Sequence, residues 1–205
     1  LMKPSIPTKF FDLCIVPEHD GLDGPNIFVT QGPLNPLKNC ETKKNGGLIL
    51  IGGPSKHFHF REDEVLKSIY RIINSEPKTE WSIADSRRTP SKVKKSLVKI
   101  QSNSLKYYDN NYTSSNMLDT KLERSKYAWV TADSMAMIYE ALTAGARVGI
   151  IDLPQSIDSR LVRHVKVLII KQTTNYKQSL LEIQICESET IAKDIINLFS
   201  NEFQA

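Results

Sequence analysis

From Phe10 onward the chain repeats one pattern: a short apolar run, a small or polar turn, then a stretch with apolar positions every three or four residues. The runs are FFDLCIVP (10–17), GLILIGG (47–53), WSIADS (81–86), YAWVTAD (127–133) and RVGIIDLP (147–154). Both alternating positions are apolar in each, which predicts strands of a parallel sheet covered on both sides. The intervening segments predict helices. EDEVLKSIYRIINSE (62–76) puts Val65, Leu66, Ile69, Ile72 and Ile73 on one stripe and opens with acids. SKVKKSLVKIQ (91–101) follows Pro90, and SMAMIYEALTAGA (134–146) follows Asp133-Ser134 and stops at Gly145. A last helix is expected over TIAKDIINLFSNEF (190–203), and the polar stretch 102–116 reads as turns around a short strand at 105–108.

Strands alternating with helices predict an α/β fold, a Rossmann-like doubly wound parallel sheet. Ligands of such sheets sit beyond the carboxyl ends of the strands. That rule selects PEHDG (17–21), GGPSKHFH (52–59), ADSRRTP (84–90) and TADSMAM (131–137).

Composition narrows the picture. The 205 residues, 40% hydrophobic and 24% charged, suit one sizeable core, or one domain plus a piece of another. The net charge of +4 suits a small anionic ligand and is too slight and scattered for a nucleic-acid surface. Cys14, Cys40 and Cys186 lack CxxC spacing and read as reduced thiols, which with no apolar span and no leader predicts a cytoplasmic chain. The opening at Leu1, in the Pro-spaced KPSIPTKF, reads as a linker from a longer protein.

Four turns carry candidate chemistry. Gly52-Gly53 admits close approach of the backbone to an anion, with the Ser55 hydroxyl and the Lys56 charge beside it; the same residues also fit a plain strand exit. In TADSMAM, Thr131 ends a strand, and Asp133 or Ser134 caps a helix whose N-terminus attracts anions. Glu140, seven residues beyond Asp133, returns to the same helical face past Ala136 and Met137, where a carboxylate can take the two hydroxyls of a ribose or simply face solvent. Arg87 and Arg88 offer guanidinium forks for phosphate or carboxylate, or form a solvated basic turn. His57, His59 and His19 lack further ligands at recognisable spacing, so no metal is expected. The absence of GxSxG, GxxxxGK(S/T) and GxGxxG removes support for hydrolase, P-loop and standard dinucleotide readings.

Taken together, "FDLCIVPEHDGLDGPNIFVTQGPLN" (11–35), "GLILIGGPSKHFHF" (47–60), "SRRTP" (86–90) and "VTADSMAMIYEALTAGARVGIIDLP" (130–154) resemble the mitochondrial-fission "elongated mitochondria" family, from about Phe11 to Pro154. That family looks like the GT-B glycosyltransferases, and the resemblance implies the C-terminal half of a two-domain architecture that holds a nucleotide-diphosphate sugar. It implies 1–38 as the end of a preceding domain plus linker, 39–189 as the nucleotide-sugar domain and 190–205 as a C-terminal helix. By the same resemblance Gly52, Gly53 and Ser55 meet the diphosphate, Ser134, Met135 and Ala136 form the helix N-terminus beside it, and Glu140 grips the ribose. Arg87 and Arg88 match a family motif with no assigned role. Ser134-Met135 departs from the Gly-Ala usual in those transferases.

The implied reaction is glycosyl transfer, the nucleotide sugar being a substrate with no further cofactor. The acceptor base is expected in the missing domain or near Glu18, His19 and Asp20. The alternatives are a non-catalytic interaction protein of membrane division or envelope processes, peripheral at a membrane, and a nucleotide-sugar epimerase.

Overall fold

The computed structural model describes residues 4–39, 44–174, 180–181, 185 and 187–202. Two short strands, β1 (Cys14–Pro17) and β2 (Ile27–Thr30), pair in parallel and stand apart from the main sheet. The main sheet holds β3 (Asn45–Ile51), β4 (Trp81–Asp85), β5 (Leu105–Tyr108), β6 (Ser125–Thr131) and β7 (Arg147–Ile151), all parallel, in the order β5-β4-β3-β6-β7. The chain winds outward from β3 in one direction, crosses back, and winds outward from β6 in the other. This is a Rossmann-like doubly wound sheet with its switch point between β3 and β6.

Right-handed crossovers put α1 (Glu62–Ser75) and α2 (Ser91–Lys99) on one face and α3 (Ser115–Arg124) and α4 (Met135–Thr143) on the other. After β7 come α5 (Arg160–Thr174) and α6 (Glu187–Glu202). The helices α1 and α2 form where the apolar period predicts them. In α1 three acids occupy the first turn, and Val65, Ile69 and Ile72 are buried at helical spacing. Helix α4 ends in a Schellman motif: Gly145 is left-handed, its N–H reaches the Leu142 carbonyl, and the Ala146 N–H reaches that of Ala141. Between the helical layers Leu48, Ile49, Ile51, Ile83, Val130 and Val148 form the centre of the core.

The first run departs from the sequence expectation, and helices α3 and α5 arise where none was predicted. The first run yields a strand only over Cys14–Pro17, after a 3-10 turn at Thr8–Phe10, and it pairs with the unforeseen β2 instead of joining the main sheet. Helix α3 escapes periodicity because Leu122 is its one buried residue. Helix α5 is rich in β-branched residues, yet Val162, Val165 and Leu168 bury at helical spacing and override that propensity. Cys14 is a buried free thiol, and Cys40 and Cys186 lie outside the described residues. Among the described residues no helix is long and apolar enough to cross a membrane.

The segment after β3 is stitched to the one after β7. His59 N–H donates to the Pro154 carbonyl, Ser156 N–H donates to that of His57, and Phe58, 3% exposed, enters the core. Ser55 Oγ accepts the N–H groups of His57 and Phe58 and so shapes the turn. Phe58→Ala is expected to cost about 3–5 kcal/mol in urea unfolding, whereas a loss under about 1 kcal/mol would show that this aromatic ring does not anchor the segment.

Candidate functional site

The carboxyl ends of β3 and β6 diverge at the switch point, and three loops meet there. Gly52 N–H donates to Thr131 Oγ1 at 2.8 Å, and Gly53 N–H donates to Asp133 Oδ2 at 3.0 Å. The same carboxylate oxygen pairs with Arg88 Nη2 at 2.7 Å, while Arg88 Nη1 donates to the carbonyls of Gly53 and Pro54, both at 3.3 Å. Thr89 Oγ1 lies 2.6 Å from the Gly52 carbonyl and accepts the Ser86 N–H at 2.9 Å, so a buried hydroxyl closes the end of β3. The Asp133 side chain is 0% exposed, and its Oδ1 is buried without a hydrogen-bond partner among the described residues.

This geometry explains the glycines. A Cβ on Gly52 would run into the Asp133 carboxylate, and one on Gly53 would strike the Arg88 carbonyl. The backbone is bare so that two neighbouring loops of the same chain can close on it.

The two arginines divide. Arg88 is the clasp on Asp133, whereas Arg87 is exposed and makes no hydrogen bond or ion pair with any described residue. Lys56 is likewise exposed and has neither. Ser134 makes no side-chain cap on α4, so the N–H groups of the helix's first turn are not satisfied by it. Helix α4 buries Met135, Ile138, Tyr139, Ala141 and Leu142, and leaves Ala136, Met137 and Glu140 as its accessible stripe. Burial pushes the Glu140 carboxyl above its ordinary 4.5, and the charge of Asp119 adds to the shift.

Glu18, His19 and Asp20 occupy a separate corner. They form a 3-10 turn after β1, closed by left-handed Gly21, whose carbonyl and that of Asp20 accept Arg160 Nη1. His19 is 9% exposed on its side chain, its Nδ1 is buried without a partner among the described residues, and burial lowers its basicity. Its ring lies 5.5 Å from that of His164, whose Nε2 meets the Tyr139 hydroxyl at 2.7 Å. Burial lowers the basicity of His164 too and pushes the Tyr139 phenol up, so this hydrogen bond joins two neutral groups near pH 7. A cavity of about 410 Å³ opens beside Glu18, Gln31, Tyr139, His164 and Lys171. Tyr139 and His164 carried no sequence signal: one sits within an apolar helix, the other in a helix that periodicity did not reveal. Among the described residues no group of three or more His, Cys, Asp or Glu could hold a metal ion.

The sequence profile of mitochondrial fission ELM1 matches residues 1–199. The chain belongs to the mitochondrial fission ELM1 family. The match is wider than the four motifs imply and takes in α5 and most of α6, well past Pro154. An uncharacterized protein of Rickettsia prowazekii (strain Madrid E), RP120, is 27% identical over 194 residues, covering 71% of this chain and 54% of the relative. The chain therefore spans about half the length of that relative. Among solved structures, the UDP-GlcNAc 2-epimerase of Methanocaldococcus jannaschii, crystallised with UDP-GlcNAc and UDP, is similar at 12% identity and a TM-score of 0.45, over 77% of this chain and 46% of that one. So remote a likeness carries no conclusion about ligand or reaction.

Two outcomes test this geometry. Arg88→Ala leaves the Asp133 carboxylate buried without its cation and is expected to destabilise by about 1–3 kcal/mol, the pair being only partly buried on the arginine side. Adding Asp133→Asn should recover part of that loss in chemical unfolding, and additivity of the two changes would refute the clasp.

A carboxyl raised in the folded state is ionised there at a cost, absent below its unfolded value and growing as pH rises through the folded one. Glu140→Gln is accordingly expected to melt higher than the parent near pH 7 and level with it near pH 3. An equal gap at both pH values would disprove the burial effect.

Proposed function

We propose that this ELM1-family chain is the nucleotide-diphosphate-sugar-binding part of a GT-B-like glycosyltransferase. The observation that carries the reading is the arrangement around the β3–β6 switch point, where an open helix N-terminus and the cations Lys56 and Arg87, unpaired among the described residues, follow the ends of β6, β3 and β4, and the accessible Glu140 stripe runs along the helix that starts there. Crevices of this kind receive nucleotides in doubly wound sheets. The α4 dipole, Lys56 and Arg87 supply positive potential to a diphosphate, and Glu140 accepts the hydroxyls of a ribose.

The committed amides of Gly52 and Gly53 shift the expected contact. The diphosphate meets the first turn of α4 around Ser134, Met135 and Ala136, and the glycine turn forms the floor beneath. As the departing diphosphate gains charge in transfer, the helix dipole and the two cations stabilise it without a metal. His19, buried and neutral near pH 7, is the candidate base for the acceptor hydroxyl from the described part of the chain.

One observation favours a non-catalytic interaction protein on the same fold. Asp133 already fills the glycine turn with a carboxylate, an arrangement that also serves a purely structural strand exit.

Calorimetry and thermal shift with uridine, guanosine, cytidine and thymidine diphosphates and their sugars separate the two. At least one is expected to bind. Glu140→Ala and Arg87→Ala should each weaken it roughly 10- to 100-fold, a hydrogen bond to a charged group being worth about 1.5–3 kcal/mol. Binding of none, or binding that Glu140→Ala leaves intact, would reject the nucleotide-sugar reading.

A further inference from the structure

Parallel sheets bury apolar residues on both faces, and one row of this sheet does not. Residues in register share a face. Ala128 pairs with Leu48, Leu48 with Ser82, and Ser82 with Lys106, so a hydroxyl and an ammonium continue a row that begins with alanine and leucine. Two residues along β5 on the same face, the Tyr108 ring lies 4.5 Å from Lys121 Nζ of α3. That contact identifies this face as the one α3 covers. The helix answers with Thr120, Lys121 and Arg124, and buries only Leu122.

A cleft of about 270 Å³ results, under the C-terminal half of α3 and at the amino ends of β3, β4 and β5. It lies at the opposite edge of the sheet from Gly52 and Gly53. Lys106 and Arg124 are exposed and make no hydrogen bond or ion pair with any described residue, and the ammonium of Lys121 rests on Tyr108. Glu80 is the one acid in the lining and has no ion pair with a described residue. Lys121 and Arg124 suit the negative end of the α3 dipole, but that effect does not account for Lys106 or Ser82, which come from strands.

We propose that this cleft is a second anion site, independent of the nucleotide crevice, which takes a small phosphate-type dianion. Three cations against one acid leave two positive charges, which match a dianion better than a single carboxylate. The cations come from two elements, α3 and β5, and the Ser82 hydroxyl on β4 adds a donor between them. A phosphate oxygen set has room for ammonium and guanidinium contacts together. The group arrives as free phosphate, as a small phosphomonoester, or as a lipid headgroup.

The test is titration of the isotopically labelled protein with inorganic phosphate, followed by amide chemical shifts. Saturable shifts are expected at Ser82, Lys106 and Thr120 to Arg124. The double variant Lys106→Ala/Arg124→Ala should weaken them at least tenfold, Arg87→Ala should leave them unchanged, and Glu80→Gln should strengthen them by about two- to threefold, as loss of one nearby like charge to the ligand requires. Both changed residues of the double variant are exposed, so its fold is expected to persist, and its unperturbed amide spectrum elsewhere checks that. Co-sedimentation with phosphatidic acid vesicles, lost in the double variant, assigns the group to a lipid, whereas saturable phosphate binding without sedimentation assigns it to a soluble anion. Shifts that are absent, that follow Arg87 instead, or that survive in the double variant overturn the proposal. The readout is local to α3 and β5, so failure here and failure of the nucleotide reading are distinguishable.

Discussion

The carboxyl edge of the sheet depends on the buried carboxylate of Asp133. Taking such a group out of water costs several kcal/mol unless it is paired and hydrogen-bonded. Here one of its oxygens receives both the Gly53 N–H and the Arg88 guanidinium. To do so, the loop after β6 must come within contact of the backbone after β3, which only glycine at 52 permits, and the loop after β4 must close over Gly53 from the other side. The hydroxyls of Thr131 and Thr89 complete the closure by taking the Gly52 N–H and facing its carbonyl. Three strand ends are thereby locked into one floor. Lys56, Arg87 and the accessible stripe of α4 stand on elements that this floor positions.

The parts of the fold that were legible in the sequence are those where one physical signal dominates. The strands β3, β4, β6 and β7 are continuous apolar runs because helices cover them on both sides. Helices α1, α2 and α4 carry an apolar stripe and a recognisable start or stop, such as Pro90 before α2 and Gly145 after α4. Where the signals conflict, sequence reasoning falls short. Helix α3 buries Leu122 alone and packs Leu118 only partly, so its apolar stripe is too short to announce a helix. The β-branched residues of α5 favour a strand locally, and only burial against the rest of the fold decides for a helix.

The meeting of the strand-end loops was legible in the sequence, but the contacts their residues make there were not. That Gly52 and Gly53 needed close approach followed from their lack of a side chain; what approaches them, Asp133 and the Arg88 loop, is a tertiary fact. Neighbouring arginines are equivalent as sequence, yet the backbone aims Arg88 inward at a buried acid and leaves Arg87 in solvent. The Tyr139–His164–His19 cluster joins α4, α5 and the turn after β1 across most of the chain, so no local pattern could announce it.

Glu140 poses the remaining question of economy. The stripe of α4 that it shares with Ala136 and Met137 is otherwise small or apolar, and a half-buried carboxyl beside Asp119 resists ionisation. No hydrogen bond or ion pair with a described residue compensates its side chain. A glutamine of the same shape would spare the fold this electrostatic cost, and so would a leucine packed toward Met137. An acid held there at a loss fits the ribose-binding role proposed for it. Hydroxyl groups that donate to the carboxylate favour its charged form and relieve the strain that burial and Asp119 impose. On the function proposed above, the energy withheld from folding would be recovered on binding, which would tie the least comfortable residue of α4 to the most specific part of the proposed ligand.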